Sequence, residues 1–199
     1  NKQGSADTHG AALGDKEVAA TRANLGWSHA PFEIPQAVRD EWNQCKNGAV
    51  AQNEWAGRFK AYAAAHPDLA REFTRRMAGE LPASFEADAA AAIEAANSKA
   101  ETVATRKASQ LALTALAPKL PELIGGSADL MGSVFTNWPG SKVVTRNEPG
   151  NIVNFGVREF AMAAITNGMA LHGGFIPETG TFLTFSDYSR NALRMAALM

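Results

Sequence analysis

An α/β domain, a parallel sheet with flanking helices, preceded by a mainly helical region, is the fold class that three features of the sequence predict. Short β-prone runs at Leu123-Ile124, Ile152-Val153-Asn154-Phe155 and Phe175-Ile176 alternate with helix-patterned stretches, and such alternation favours parallel strands covered on both faces. Before about Lys99 the apolar spacing is helical, with no strand pattern among it. The 199 residues, 46% hydrophobic and 20% charged, are enough for one large domain or two smaller ones.

Residues 1 to 14, mostly small and polar, predict a loop. Asp15 is placed to N-cap a short helix that Gly26 ends as a C′ glycine. Pro31 and Pro35 bracket an extended link, after which Val38, Trp42, Cys45, Val50, Trp55, Phe59 and Tyr62 keep a helical spacing expected to break near Asn47-Gly48. His66-Pro67-Asp68 signals another start, and Leu69, Phe73 and Met77 line one face of a helix that Leu81-Pro82 closes. Phe85 to Asn97 is alanine-rich and helical in pattern.

A helix from about Val103 to Leu116 then leads past Pro118 and Pro121 into Leu123-Ile124 and a small-residue turn, Gly125-Gly126-Ser127. A loop from Gly132 to Gly150 precedes the second strand, which feeds a helix from Arg158 to about Leu171. Gly173-Gly174 ends that helix, Phe175-Ile176 opens the third strand, and Ser186 or Asp187 caps the final helix. We therefore expect residues 1–81 and 103–199 to be separate domains joined by a linker at 82–102.

Nineteen basic against twenty acidic residues leave no surplus for a polyanion, so neither a nucleic acid nor an anionic membrane is expected as partner. The single Cys45 cannot form an internal disulfide, and no Cys/His cluster has zinc-ligand spacing. No apolar run reaches the ~18 residues of a membrane span, and no leader pattern opens the chain. A cytoplasmic setting is the expectation. The chain starts at Asn1 and stops at Met199 within a helical pattern, which leads us to expect an excised piece of a longer protein.

In an α/β sheet the functional groups gather at the carboxyl ends of the strands. The turn Asn154-Phe155-Gly156-Val157-Arg158-Glu159 places Glu159 in the first turn of its helix. A solvated acid favoured by the helix dipole is one reading; a carboxyl shielded in an apolar cleft, suited to proton sharing, is the other. Phe182, Phe185 and Tyr188 recur at i, i+3, i+6, which suits a core and equally an aromatic wall for a flat heterocycle. His9 lies in a flexible Thr8-His9-Gly10 loop, where it suits a phosphate as well as solvent. Arg106 beside Lys107 is an ordinary basic pair or a phosphate fork. Ser127 and Ser133 have no neighbouring His to make either a nucleophile. Neither GxGxxG nor GxxxxGK[ST] occurs.

The blocks GGSADL (125–130), NFGVREFAM (154–162) and LHGGFIPETGTFLTFSDYSRNALRMAAL (171–198), with HGAALGDKEVAATRANLGW (9–27), PFEIP (31–35) and ATRKASQ (104–110), resemble transketolase collinearly over almost the whole chain. The resemblance implies a thiamine-diphosphate-binding fold, with 1–81 the end of the diphosphate-binding domain and 103–199 the first part of the pyrimidine-binding one. It implies transfer of a two-carbon glycolaldehyde unit from a ketose phosphate to an aldose phosphate, in the pentose phosphate pathway, by a homodimer whose subunits share active sites. By the same resemblance Glu159 is the glutamate that hydrogen-bonds the cofactor's aminopyrimidine, Phe185 packs on that ring, and Phe182 and Tyr188 support it. His9 approaches the diphosphate and the substrate's oxygens, Arg106 and Ser133 hold the sugar's phosphate, and Asp129 lies near the cofactor.

The family's metal motif, Gly-Asp-Gly followed by Asn, is missing: Gly14-Asp15-Lys16 lacks the second Gly. Ligands for the Mg2+ or Ca2+ that the family uses are therefore expected outside this chain, and the chain alone is expected to be inactive. A catalytically inert, interface-forming fragment, or a related enzyme such as dihydroxyacetone synthase or deoxyxylulose-phosphate synthase, is the alternative.

Overall fold

The computed structural model describes residues 1–199 and divides into two compact units, Asn1–Lys60 and Ala61–Met199. In the first, α1 (Asp15–Asn24) is capped by Gly14, not by Asp15 as the sequence suggested. Asp15 is the first helical residue, where its carboxylate suits the helix dipole without bonding an amide. Gly26, at φ 66°, ends the helix as expected: its N–H reaches Ala23 O at 3.2 Å, and Trp27 N–H reaches Arg22 O at 2.9 Å. The predicted break at Asn47-Gly48 falls earlier. α2 (Gln36–Trp42) stops at Asn43, whose side chain accepts from Cys45 N–H at 3.1 Å, and α3 (Cys45–Ala65) continues straight through Gly48. An asparagine that turns the chain by accepting from the amide two residues on outweighed an internal glycine, which costs a helix only ~1 kcal/mol.

The second unit opens with α4 (Pro67–Met77), α5 (Phe85–Lys99) and α6 (Thr105–Leu116). Pro67 occupies the first helical position, where its missing N–H is harmless, and α4 closes on Gly79 at φ 72° before Pro82 is reached. Arg75 on α4 grips the buried Glu122 with two parallel bonds, Nη1 to Oε1 at 2.9 Å and Nη2 to Oε2 at 3.0 Å. Burial works to raise the Glu122 carboxyl, and the Arg75 bonds outweigh it, holding it below its ordinary value.

Glu122 leads into β1 (Leu123–Ser127), which is the centre of a three-stranded parallel sheet of order β2-β1-β3, with β2 at Ile152–Asn154 and β3 at Ile176–Gly180. Gly125-Gly126-Ser127, expected to turn, is therefore strand. The glycines answer to crowding: a Cβ on Gly126 would meet Val153 O at 2.1 Å, and one on Gly125 would meet Glu178 Oε2 at 2.9 Å. Register pairs Gly125 with both Ile152 and Glu178, and Ser127 with Asn154 and Gly180. Pro177 is tolerated because β3 is an edge strand.

On one face of the sheet Leu123 and Ile152 pack with Ala117, Leu120 and Trp138; on the other Phe155 packs with Ala128 and Met162. The expected loop after β1 contains a short helix, α7 (Met131–Val134). α8 (Glu159–His172) follows β2 and α9 (Ser186–Leu198) follows β3. Phe185, rather than Ser186 or Asp187, is the α9 cap, because a 3-10 turn over Leu183–Phe185 runs directly into it. Asn167 of α8 donates to Ala192 O of α9 at 2.8 Å and fixes the two helices together. No helix is long and apolar enough to cross a membrane.

Candidate active site at the carboxyl edge of the sheet

All three strands run the same way, so their following segments emerge at one edge. β1 delivers Asp129 and Ser133, β2 delivers Glu159, and β3 delivers Thr181, Phe182 and, one turn on, Phe185.

The β2-to-α8 turn is built to aim Glu159. Gly156 takes φ 66°, which an L side chain rarely adopts. Arg158 folds back so that Nη1 donates to Phe155 O at 3.0 Å. Glu159 then becomes the first residue of α8, and it is only 2% exposed. Its two oxygens differ. Oε1 accepts a long hydrogen bond from Thr181 Oγ1 at 3.5 Å, whereas Oε2 is buried with no partner. A buried acceptor without a donor is costly, so this oxygen is suited to a donor brought by a ligand.

The aromatic trio is a half-open wall, and the core reading of it fails. Phe182 and Phe185 stand 5.9 Å apart between ring centroids, Phe185 and Tyr188 6.2 Å, all tilted. Phe182 is 40% and Tyr188 52% exposed, so their faces are free for a planar ligand. Both lie on the segment that begins at Thr181, the Glu159 partner.

Arg106 on α6 holds its guanidinium 5.3 Å from the centroid of Phe135, a cation–π contact. Ser133 lies two residues earlier on α7. Gln110 of α6 donates to Asn137 O at 3.2 Å, tying α6 to the segment that carries both. Asp129 is exposed and held at φ 63° just beyond β1. His9 belongs to the unit Asn1–Lys60, exposed at the end of a 3-10 turn over Ala6–Thr8, with its N–H on Ala6 O at 3.0 Å. No three His, Cys, Asp or Glu side chains are gathered to hold a metal ion.

Sequence reasoning missed two polar residues of β3 and its extension. Thr181 carried no signal of its own. Glu178 did: it is an acid at a core-facing position, in register with Ile152 across Gly125. Its Oε2 is buried without a partner, and burial alone pushes the carboxyl up to about 7.

Comparison with known proteins decides what this edge belongs to. The family model for the transketolase thiamine diphosphate binding domain matches residues 1–82, and that for the transketolase pyrimidine binding domain matches residues 101–199. The chain belongs to the transketolase family. It is 57% identical over 198 residues to transketolase 2 of Xanthobacter flavus and 52% identical over 199 residues to transketolase 1 of Escherichia coli. All of this chain is matched, against 29% and 30% of those transketolases, so it spans under a third of their length. Among solved structures it is similar to the transketolase of Leishmania mexicana, with a TM-score of 0.75 and 34% identity, over 92% of this chain and 27% of that one. A Pichia stipitis transketolase in complex with sedoheptulose-7-phosphate matches with a TM-score of 0.73 and 32% identity, over 90% of this chain and 27% of that one. The fold is thus the thiamine-diphosphate-binding α/β fold of transketolases.

Proposed function

We propose that this chain supplies part of the active site of a complete transketolase, which passes a two-carbon glycolaldehyde unit from a ketose phosphate to an aldose phosphate. The observation that carries this reading is the unpartnered, buried Oε2 of Glu159 at the carboxyl edge of the sheet, beside an open aromatic wall. Those residues fit thiamine diphosphate. Bound there, the cofactor would supply the carbanion chemistry that breaks and remakes the bond next to the sugar's carbonyl.

In this reading Glu159 Oε2 accepts a hydrogen bond from a ring nitrogen of the aminopyrimidine and holds a proton on that nitrogen, while Thr181 occupies Oε1. Burial removes water as a competitor for that proton. Phe185 packs on the pyrimidine, with Phe182 and Tyr188 flanking it. Arg106, steadied by Phe135, and Ser133 bind the sugar's phosphate, the guanidinium through charge-assisted bonds. His9 faces the diphosphate and the substrate's oxygens, and Asp129 lies near the cofactor. The metal, Mg2+ or Ca2+, takes its ligands from parts of a complete transketolase beyond these residues, since the Gly-Asp-Gly motif is missing from the sequence.

The same reading makes residues 1–81 the end of the diphosphate-binding domain, 82–102 a linker that includes α5, and 103–199 the start of the pyrimidine-binding domain. The matched ranges support that division. A homodimer with shared sites, a cytoplasmic location and a role in the pentose phosphate pathway complete the proposal. Its test is Glu159→Ala in the complete transketolase carrying this segment. Loss of a positioned proton-transfer group lowers kcat by ~10²–10⁴, with folding unchanged by circular dichroism; a folded variant retaining more than a tenth of wild-type kcat would refute the assignment.

A further inference from the structure

We propose that Glu178 is a positioning residue that, while protonated, seats the segment Phe135–Trp138 on the sheet and thereby sets the phosphate-binding end of the site. The substrate half of this proposal rests on the function proposed above.

Glu178 lies in the middle of β3, on the face that carries Leu123, Ile152 and Ile176. Gly125 stands between Glu178 and Ile152 in register, and the space its missing side chain leaves is taken by the Glu178 carboxyl. A Cβ on Gly125 would lie 2.9 Å from Glu178 Oε2 and 3.7 Å from a ring carbon of Trp138. The acid and the indole, which is 5% exposed and belongs to the main core, thus share the space over Gly125. Two residues along β3, Thr136 Cγ2 lies over Gly180, 2.5 Å from where a Cβ would be, and its Oγ1 is buried without a partner. The segment after α7 therefore seats on the sheet at two glycines, Trp138 over Gly125 beside the Glu178 carboxyl and Thr136 over Gly180.

No ion pair reaches the Glu178 carboxyl, and three charged groups of the adjoining elements are engaged elsewhere. Arg106 lies over Phe135, Lys107 donates to Gln110, and Glu122, ahead of β1, is held by Arg75. Gly125 and Trp138, which share the space of the Glu178 carboxyl, and Ile152 beyond Gly125 in register carry no charge. A proton keeps the group neutral in that setting; its loss puts charge on a half-buried carboxyl whose Oε2 has no partner, and solvating that oxygen draws water in beside Trp138. Loosening Trp138 loosens Phe135 and Ser133 with it, and also Asn137, the α6 tether. Arg106 and Ser133 then cease to be held in one geometry.

The test uses the full chain with Trp27, Trp42 and Trp55 changed to Phe, leaving Trp138 as the reporter. Its emission should shift to the red as pH rises through about 7, and the shift should vanish in Glu178→Gln and in Glu178→Leu, which are neutral at every pH. No transition in the parent, or the same transition in both variants, overturns the proposal. In the complete transketolase carrying this segment, KM for a ketose phosphate should rise severalfold across the same transition, while KM for an unphosphorylated ketose does not. In Glu178→Gln the KM for the phosphate should stay flat. Turnover with an unaltered pH response in that variant refutes the positioning role. Absence of any turnover by the unsubstituted enzyme refutes the functional reading instead, and leaves the fluorescence result to decide the control of Trp138.

Discussion

Replacing Arg75 by Met should be among the most damaging single changes in the unit Ala61–Met199. Glu122 has 4% of its side chain exposed and Arg75 15%, and both carboxylate oxygens are taken by the same guanidinium. Arg75 also donates to the Glu80 carbonyl and to Glu72, whose carboxyl the hydrogen bonds from Arg75 and Arg76 hold down at about 2. Removing the guanidinium leaves Glu122 charged and buried without a partner, which costs ~3–5 kcal/mol. For a unit of this size that lowers the melting temperature by roughly 10 °C or more. The double change Arg75→Met with Glu122→Leu removes the stranded charge and should recover most of the loss, because a buried pair is worth little more than the apolar groups that could replace it. The sign of the pH dependence follows from the depressed Glu122 carboxyl. Its stabilising contribution is present above the ordinary value of 4.5 and fades as pH falls below it. Urea unfolding followed by far-ultraviolet circular dichroism measures all three proteins. A loss under ~1 kcal/mol for Arg75→Met, or a double variant as unstable as the single one, would refute the reasoning.

Three further outcomes are expected. Glu178→Gln should stabilise the chain increasingly between pH 4.5 and about 7. An acid raised in the folded state loses stability as it ionises, and the full interval at 1.36 kcal/mol per pH unit sets a ceiling of ~3 kcal/mol above neutrality; equal stability of variant and parent at high pH would contradict this. Gly126→Ala should cost ~3 kcal/mol or more, since the backbone carbonyl of Val153 cannot move aside, while Gly156→Ala should cost ~1–2 kcal/mol, from backbone strain and from the Phe155 bond that the Arg158 tip gives up in swinging away. Denaturation midpoints in the reverse order would overturn that ranking. Phe185→Ala in the complete enzyme should weaken thiamine diphosphate ~3–10-fold by calorimetry, the worth of one stacking contact of ~0.5–1.5 kcal/mol; unchanged affinity would remove Phe185 from the cofactor wall.

What the sequence disclosed and what it hid divide along the range of the forces involved. Leu69, Phe73 and Met77 announced α4 because helical spacing is local, and Gly26 announced the end of α1 for the same reason. The glycines of β1 misled because their cause lies in other strands: nothing near Gly126 in the chain says that Val153 O will crowd it. Asn43 was passed over in favour of Gly48, although an asparagine able to bond the amide two residues on is the stronger local turn signal. At the candidate site, Glu159 and the aromatic trio were legible from their blocks, but the inequality of the Glu159 oxygens depends on Thr181, 22 residues away. Glu178 was visible only as an acid in a strand. Its meaning comes from Trp138, which a long loop and a parallel crossover bring over Gly125.

One distance tests the role of Glu159 most directly. In a crystal structure of the complete transketolase carrying this segment with thiamine diphosphate bound, Glu159 Oε2 should lie within ~2.6–3.0 Å of a ring nitrogen of the aminopyrimidine, as a charge-assisted hydrogen bond requires. Cofactor seated at the same edge with that oxygen still unpartnered, or bonded to a side chain instead, would contradict the role assigned to Glu159.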